Sequence, residues 1–253
     1  MDRKIFLVGV GGIGSNLGEM ITRFCRTLPN FQRVHLILID GDKIENSNLS
    51  RQKFEIIDIN KNKAQALADY LRATKPEILE IDSIPEFVTT KNIRDVFRSI
   101  QEQDIVITAL DSTPPRKLIA EYLEQFPSFI LLNPGNELTD GSLQVTIKRN
   151  GTYLSPNINN ALHPEIFNAK KPKKRAGCAV LALSNAQVIT TNVYVATLTA
   201  KVVSDLLKLD EEMTPIDSLV IPAEVYFDLT TFTMRMISPQ EINAKLQLMS
   251  ERK

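Results

Sequence analysis

The sequence predicts an α/β protein with a doubly wound, mostly parallel sheet and an antiparallel extension in its C-terminal part. Two runs, 5–10 and 34–39, are almost continuously apolar, which indicates strands that are buried on both faces. Amphipathic stretches of helical length separate these and later apolar runs, and such alternation is typical of parallel strands joined by right-handed crossovers. After Asn136 the pattern changes to short strands in which polar and apolar residues alternate.

The same patterns predict each element in order. Predicted strands cover residues 5–10, 34–39, 78–81, 104–110, 128–132, 141–148 and 152–154. Predicted helices cover 13–28, 63–73, 91–101 and 183–207, and two more follow Pro114–Pro115 and Pro239. Apolar residues alternate with polar ones on both sides of Thr230–Thr231, which predicts a hairpin that contains Val225, Phe227, Leu229, Phe232, Met234 and Met236.

Composition and charge exclude several kinds of protein. The 253 residues include 30 Lys and Arg against 30 Asp and Glu, which argues against a protein whose main task is to bind nucleic acid or an anionic membrane. Cys25, Cys178, His35 and His163 are too few and too scattered for a zinc site, so we expect no zinc. Because the N-terminal apolar run is too short for a signal peptide or a membrane span, we expect a cytoplasmic protein.

A glycine-rich turn, with Gly9, Gly11, Gly12 and Gly14, lies between the first predicted strand and the first predicted helix. Such a turn lets the backbone approach a polyphosphate, and the helix N-terminus presents N–H groups and a partial positive charge. Asp40 ends the second strand, where a carboxylate can accept hydrogen bonds from ribose hydroxyls. These features predict an adenine nucleotide site, although a dinucleotide dehydrogenase would share them and a tight turn without a ligand is the alternative.

The segment 40–52, DGDKIENSNLSRQ, separates these alternatives when it is taken with Lys63 and Asp111. Hydride transfer needs no such set, whereas attack of a carboxylate on the α-phosphate of ATP needs cations held where negative charge builds. Arg51 offers a planar fork for phosphate oxygens, Lys63 a point charge and Asp111 a ligand for Mg²⁺. Plainer alternatives are solvated surface charges for Arg51 and Lys63, and a helix N-cap for Asp111.

Five stretches together carry a family resemblance: GVGGIGSNL, DGDKIENSNLSRQ, the lysine in INKNKAQALADYL, ITALDSTPPRK, and the cysteine ahead of ALSNAQVITTN. From about residue 5 to 207 the sequence resembles the ThiF/MoeB/E1-like adenylyltransferases, and NPGN and LHPEIF resemble the small ThiF-related proteins of PRTRC systems. The resemblance implies a Rossmann-like ThiF/E1 fold. We expect one adenylation domain over 1–253, with a nucleotide-binding half, 1–136, and a second part, 137–253, whose loop 156–178 crosses the site.

The resemblance also implies roles for individual residues. Asp40 and Asp42 match the pair at the ribose end of the site. Asn48, Arg51 and Gln52 match the residues that surround the triphosphate. We therefore expect ATP at this site.

Lys63 matches the family's phosphate-binding lysine, and Asp111 matches the aspartate linked to Mg²⁺. Arg116 matches a recurring arginine that we interpret as a structural ion-pair partner. Dimeric relatives often contribute an arginine to the partner's site from a helix ahead of the first strand, and only residues 1–4 precede that strand here.

Cys178 follows the basic run 170–175 and precedes the long predicted helix. Positive charge and a helix start both favour a thiolate, and in the resembled family a cysteine here can accept the activated acyl group. A buried core cysteine is the equal alternative, and it is the interpretation that we give Cys25. The basic run has no aromatic residues interleaved with it, so we expect no nucleic acid partner.

The function predicted first is ATP-dependent adenylation of the C-terminal carboxylate of a small ubiquitin-like protein or peptide, by a homodimer. A second possibility is a nucleotide-binding partner protein without turnover. The third is an NAD-dependent oxidoreductase, for which His163 is the only tempting acid or base.

Overall fold

The computed structural model describes residues 2–28, 33–156, 181–208 and 221–250, with side chains except those of 181–188 and 249–250. The strands in these ranges are β1 (Asp2–Val8), β2 (Arg33–Ile39), β3 (Leu79–Ile84), β4 (Ile105–Thr108), β5 (Phe129–Asn136), β6 (Asp140–Arg149), β7 (Thr152–Ser155), β8 (Glu224–Asp228) and β9 (Thr233–Ile237). The helices are α1 (Gly12–Phe24), α2 (Lys63–Arg72), α3 (Ile93–Val96), α4 (Thr113–Leu123), α5 (Leu181–Lys208) and α6 (Pro239–Ser250).

The strands described here form one sheet in the order β3-β2-β1-β4-β5-β6-β8-β9, with β7 also paired to β6. The first five strands of this order are mutually parallel, and β6 to β9 join by antiparallel pairing. The prediction of a Rossmann-like, doubly wound sheet with an antiparallel C-terminal extension is therefore confirmed.

Helices cover both faces of the parallel strands, which explains the continuous apolar runs. In β1, Ile5 and Leu7 join the core under α1, α2 and α5, whereas Phe6 and Val8 join the core under α3 and α4. Each of these four side chains is at most 3% exposed. Because both sets of alternating side chains are buried, the strand shows no polar face. No helix of the described ranges is both long and apolar enough to cross a bilayer.

Several elements differ in extent from their predictions. The helix predicted over 91–101 is reduced to the single turn of α3, because Phe97 leaves helical geometry and becomes buried. The Asp104 carboxylate then accepts the backbone N–H groups of Gln101 and Lys4, each at 2.8 Å, and holds the following turn. Strand β5 runs four residues past its predicted end because it pairs with β6 through Asn136.

In the hairpin, β8 and β9 confirm the prediction, but the turn is longer than Thr230–Thr231. Leu229 and Phe232 belong to the turn, where Phe232 has a φ of 53° and is 91% exposed.

Candidate functional site

The glycine-rich turn lies at the carboxyl ends of the parallel strands, between β1 and α1. Gly9 has a φ of 92°, and a Cβ there would lie 2.8 Å from the carbonyl carbon of Ala109. A Cβ on Gly14 would lie 2.9 Å from the carbonyl carbon of Gly9. Glycine is thus required where the turn, the first helical turn and β4 approach one another. The turn leaves the first N–H groups of α1 without helical partners, which suits an anion.

Asn192 of α5 contacts this turn, and sequence reasoning missed it. Its side chain is 4% exposed, and a Cβ on Gly12 would lie 2.6 Å from Asn192 Cγ. On the other side, Asn16 Nδ2 donates to the Gly12 carbonyl at 2.7 Å. The available signal was a polar residue within the apolar surface of the long helix.

Asp40 holds the backbone of the neighbouring turn. Its carboxylate accepts the N–H of Val10 at 2.7 Å and the N–H of Asp42 at 2.8 Å, and the residue is 9% exposed. Burial raises the pKa of Asp40, and the two N–H donors oppose that rise. The carboxylate therefore links the glycine turn after β1 to the segment after β2.

Lys63 is not a solvated surface charge, because it is only 8% exposed. Its ammonium lies 3.1 Å from Asp42 Oδ2, and its backbone N–H donates to the Asp42 carbonyl at 3.0 Å. Asn62, the N-cap of α2, donates its side-chain amide to the carbonyls of Asp40 and Asp42 at 2.7 and 3.1 Å. The start of α2 is therefore fastened to the end of β2, with the lysine at the junction.

The segment 46–52 lies against the glycine turn. Lys53 N–H donates to Ser15 Oγ at 3.2 Å and docks the segment on α1. Asn48 is buried and accepts the N–H of Glu45 at 3.0 Å, so its side-chain oxygen shapes the loop. Gln52 Nε2 would lie 3.8 Å from a Cβ on Gly11, so this side chain lies beside the glycine turn.

Arg51 Nε and Gln52 Oε1 are buried, and neither atom has a hydrogen-bond partner among the residues that the structure describes. Buried polar atoms are rarely left unpaired in folded proteins. One is a donor and the other an acceptor, and both lie in the segment that borders the glycine turn. Within the part of the chain that the structure describes, both atoms are therefore available to a polar partner.

Asp111 follows β4 at the same edge of the sheet, two residues after Ala109, which contacts the turn. It is exposed. The N-cap of α4 is Ser112, with no side-chain capping bond, so the N-cap alternative for Asp111 is wrong. The carboxylate is thus available to a ligand.

Arg116 braces the strand ends beside Asp111. Its guanidinium donates to the carbonyls of Leu110 and Pro134, the latter at 2.7 Å. Burial lowers the pKa of Arg116 to about 10, and the negative charge of Asp111 opposes that shift. We predicted a structural ion-pair partner, whereas the hydrogen bonds of this guanidinium go to carbonyl groups.

The described residues contain no group of three or more His, Cys, Asp or Glu side chains that could hold a metal by themselves. One exposed carboxylate fits Mg²⁺ that is also held by phosphate oxygens, since Mg²⁺ often takes only one or two protein carboxylates. The glycine turn, and a donor on Arg51 that no described residue pairs, fit the polyphosphate that would bring the ion.

The structure brings together most of the predicted site at one edge of the sheet: Gly9, Gly11, Gly12, Gly14, Asp40, Asp42, Asn48, Arg51, Gln52, Lys63 and Asp111. Cys178, His163 and the basic run 170–175 lie outside the described residues. Cys25 is fully buried, and burial raises the pKa of its thiol to about 12, which confirms it as a core residue.

Comparison with known proteins identifies relatives along part of the chain. Over 124 residues it is 32% identical to the NEDD8-activating enzyme E1 catalytic subunit of Saccharomyces cerevisiae, covering 49% of this chain and 38% of that protein. It is 28% identical over 148 residues to the tRNA threonylcarbamoyladenosine dehydratase of Escherichia coli, covering 57% and 52%. The SAMP-activating enzyme E1 of Haloferax volcanii is 26% identical over 120 residues, covering 47% and 40%. The chain therefore spans about half or less of these relatives.

Solved structures share the fold. E. coli MccB with ATP aligns with a TM-score of 0.61 at 19% identity, covering 93% of this chain and 63% of that one. PaaA aligns with a TM-score of 0.61 at 16% identity, covering 93% and 64%. The ThiF family matches residues 1–245, so the chain belongs to the ThiF family.

Proposed function

We propose that this protein is an ATP-dependent adenylyltransferase that activates the C-terminal carboxylate of a small ubiquitin-like protein or peptide. The observation that carries the proposal is that two buried atoms, Arg51 Nε and Gln52 Oε1, have no hydrogen-bond partner among the described residues and lie in the segment that borders the glycine turn. A triphosphate supplies acceptors for the arginine, and ligand hydroxyl or amino groups can donate to the glutamine.

The relatives support this class of activity. They include E1 activating enzymes for NEDD8 and SAMP, and solved structures of E. coli MccB include one with ATP and others with MccA. The proposed site supplies the parts that adenylation needs, so E1-like adenylyltransferase chemistry is the activity that the residues support best.

In the proposed complex the phosphates lie on the glycine turn formed by Gly9, Gly11, Gly12 and Gly14, against the N-terminus of α1. The carboxylates of Asp40 and Asp42 face the ribose. On the other side of the phosphates, the segment that contains Asn48, Arg51 and Gln52 covers the turn.

The chemical step is in-line displacement at the α-phosphorus. A carboxylate oxygen of the substrate forms a bond to that phosphorus, the bond to the β-phosphate oxygen breaks, and pyrophosphate leaves with its electrons. Arg51 and Lys63 stabilise the negative charge that develops. Mg²⁺ would be held by Asp111 and the phosphates and would neutralise the pyrophosphate as it leaves.

The direct test is ATP–pyrophosphate exchange with a candidate tail, such as a small protein or a synthetic peptide that ends in Gly-Gly. Asp111→Asn and Arg51→Ala should each lower exchange at least tenfold. Asp69→Asn, which alters an exposed carboxylate on α2, is the matched control. Full exchange by Asp111→Asn contradicts the metal role, and ATP binding without any exchange favours the nucleotide-binding partner protein instead.

We also propose Cys178 as the acceptor of the activated acyl group. Its thiolate sulfur would attack the adenylate carbonyl, form a thioester and release AMP. Cys178→Ala should retain pyrophosphate exchange and lose a protein-bound thioester, which an added thiol cleaves in the wild type by accepting the acyl group. Loss of exchange and of folding together would indicate the core alternative.

The homodimer, the cytoplasmic location, the single domain over 1–253, the absence of a nucleic acid partner and the association with PRTRC systems stay predictions. Sedimentation with and without Mg·ATP tests the dimer.

A further inference from the structure

An exposed aromatic ring lies beside the proposed nucleotide site. Phe87, in the loop after β3, is 59% exposed. A Cβ on Gly41 would lie 2.5 Å from Phe87 Cδ2 and 2.6 Å from Cγ. The ring therefore rests on Gly41, which stands between the two carboxylates, Asp40 and Asp42, at the end of β2.

The exposure of this ring is built into the loop. Asn92 Nδ2 donates to the Phe87 carbonyl at 3.0 Å and to Glu86 Oε2 at 2.9 Å. Asn92 Oδ1 accepts the N–H of Thr89 at 2.8 Å, and the neighbouring Val88 is buried in the core. These contacts hold the loop on both sides of Phe87, so its ring stays at the surface although it is apolar.

Gly41 makes this position possible. A side chain at residue 41 would collide with the Phe87 ring and would also approach the Phe87 backbone nitrogen to 2.7 Å. A single exposed phenylalanine on a protein surface needs no explanation. Here, however, a glycine, a hydrogen-bonded loop and a buried neighbour together keep the ring exposed beside Gly41, the residue that follows Asp40.

The order of the strands indicates what binds the exposed ring. The order is β3-β2-β1, with the glycine turn after β1, Asp40 after β2 and Phe87 after β3. A nucleotide with phosphates at the first position and ribose at the second extends its base toward the third. Aromatic side chains bind bases by stacking, which every base permits through its π face.

We infer that Phe87 is the base-stacking residue of the site and favours ATP over ligands that carry no base. This inference rests on the proposed function, because it requires the nucleotide to lie with its phosphates on the glycine turn. Phe87 touches neither the phosphates nor the reacting carboxylate, so it acts on nucleotide affinity. The chemical step itself does not depend on it.

The sequence contains no tryptophan, which permits a direct optical test. In the Phe87→Trp variant, Mg·ATP should quench the indole emission saturably, with the midpoint found by calorimetry, and inorganic tripolyphosphate should not. The matched control is Phe232→Trp, another exposed phenylalanine, which lies in the β8–β9 turn. Its emission should be unchanged by either ligand. Equal quenching by tripolyphosphate and ATP would overturn the inference.

Removal of the ring gives the second test. Phe87→Ala should raise the dissociation constant for ATP about tenfold and leave that for tripolyphosphate unchanged. Phe87→Leu keeps an apolar contact with Gly41 but has no π face, and should behave like Phe87→Ala, with melting temperatures confirming that both variants fold. ATP affinity equal to wild type in Phe87→Ala overturns this inference alone. The inference is also overturned if wild-type protein binds ATP no more tightly than tripolyphosphate. If wild-type protein binds neither ligand, the proposed function is contradicted as well.

Discussion

Asn192 occupies the space above Gly12 that a Cβ would otherwise fill. The two residues belong to opposite parts of the chain, and their contact joins α5 to the first turn of α1. The buried side chain of Asn192 thus limits residue 12 to glycine, independently of any ligand. Since the same turn is the proposed phosphate site, packing and binding constrain it together.

Gly12→Ala should lower the free energy of unfolding by about 1–3 kcal/mol, because the new methyl group overlaps the Asn192 amide. Gly12→Ala combined with Asn192→Ala should recover at least half of that loss, which a double-mutant cycle in urea would measure. Gly11→Ala is the control, since a Cβ there meets only Gln52 Nε2 at 3.8 Å. Strictly additive effects of the two substitutions on the free energy of unfolding would contradict a direct overlap between the new methyl group and Asn192.

Lys63→Met should leave the fold intact and weaken ATP binding at least tenfold, because the buried ammonium is the proposed phosphate contact. Its present partner, Asp42, has a side chain that is 55% exposed, so water can solvate that carboxylate once the lysine is gone. Lys61→Met is the matched control, since Lys61 is exposed and paired with Asp58 at 2.9 Å. Calorimetric titration with Mg·ATP measures both variants. Equal affinities would contradict the assigned role of Lys63.

Asn62→Ala should lower the free energy of unfolding by about 1–2 kcal/mol, because Asn62 Oδ1 accepts the N–H of Gln65 at 3.1 Å and caps α2. The variant also loses the two hydrogen bonds to the carbonyls of Asp40 and Asp42. Asn62→Ser should restore most of the cap, but its shorter side chain does not reach those carbonyls. We therefore expect Asn62→Ser to recover stability in urea while ATP affinity stays reduced. If Asn62→Ser recovered ATP affinity together with stability, the hydrogen bonds to the carbonyls of Asp40 and Asp42 would not be needed for ATP binding.

Cys25 makes stability fall at alkaline pH. Burial raises the pKa of its thiol from 9.0 to about 12, so above pH 9 the unfolded chain releases this proton while the folded chain keeps it. The contribution is fully present below pH 9 and is lost as the pH rises toward 12, at about 1.4 kcal/mol per pH unit. Between pH 8 and 10.5, wild type should lose its stability advantage over Cys25→Ala in urea titrations. Parallel pH profiles for the two proteins would contradict the buried, neutral thiol.

Local sequence patterns predict an element correctly where whole faces of it are buried. They fail where a single residue turns away from the geometry that its neighbours predict. The apolar alternation of β1 and β2 was predicted because both faces of these strands are covered. The 91–101 helix was overestimated because Phe97 turns into the core, which no local periodicity encodes. The alternative interpretation of Asp111 as a helix N-cap was wrong because Ser112 occupies the N-cap position.

The sequence by itself determined the alternation of strands and helices, the glycine turn and the set of polar residues that follow the strands, because these depend on local periodicity and backbone freedom. Only the tertiary structure decided which of those polar atoms are already paired, as in Lys63 with Asp42, and which have no partner within the described ranges, as on Arg51. It also decided that Asn192 faces Gly12 and that Phe87 rests on Gly41. These contacts join residues far apart in the chain, so they exist only after the sheet and its helices have packed.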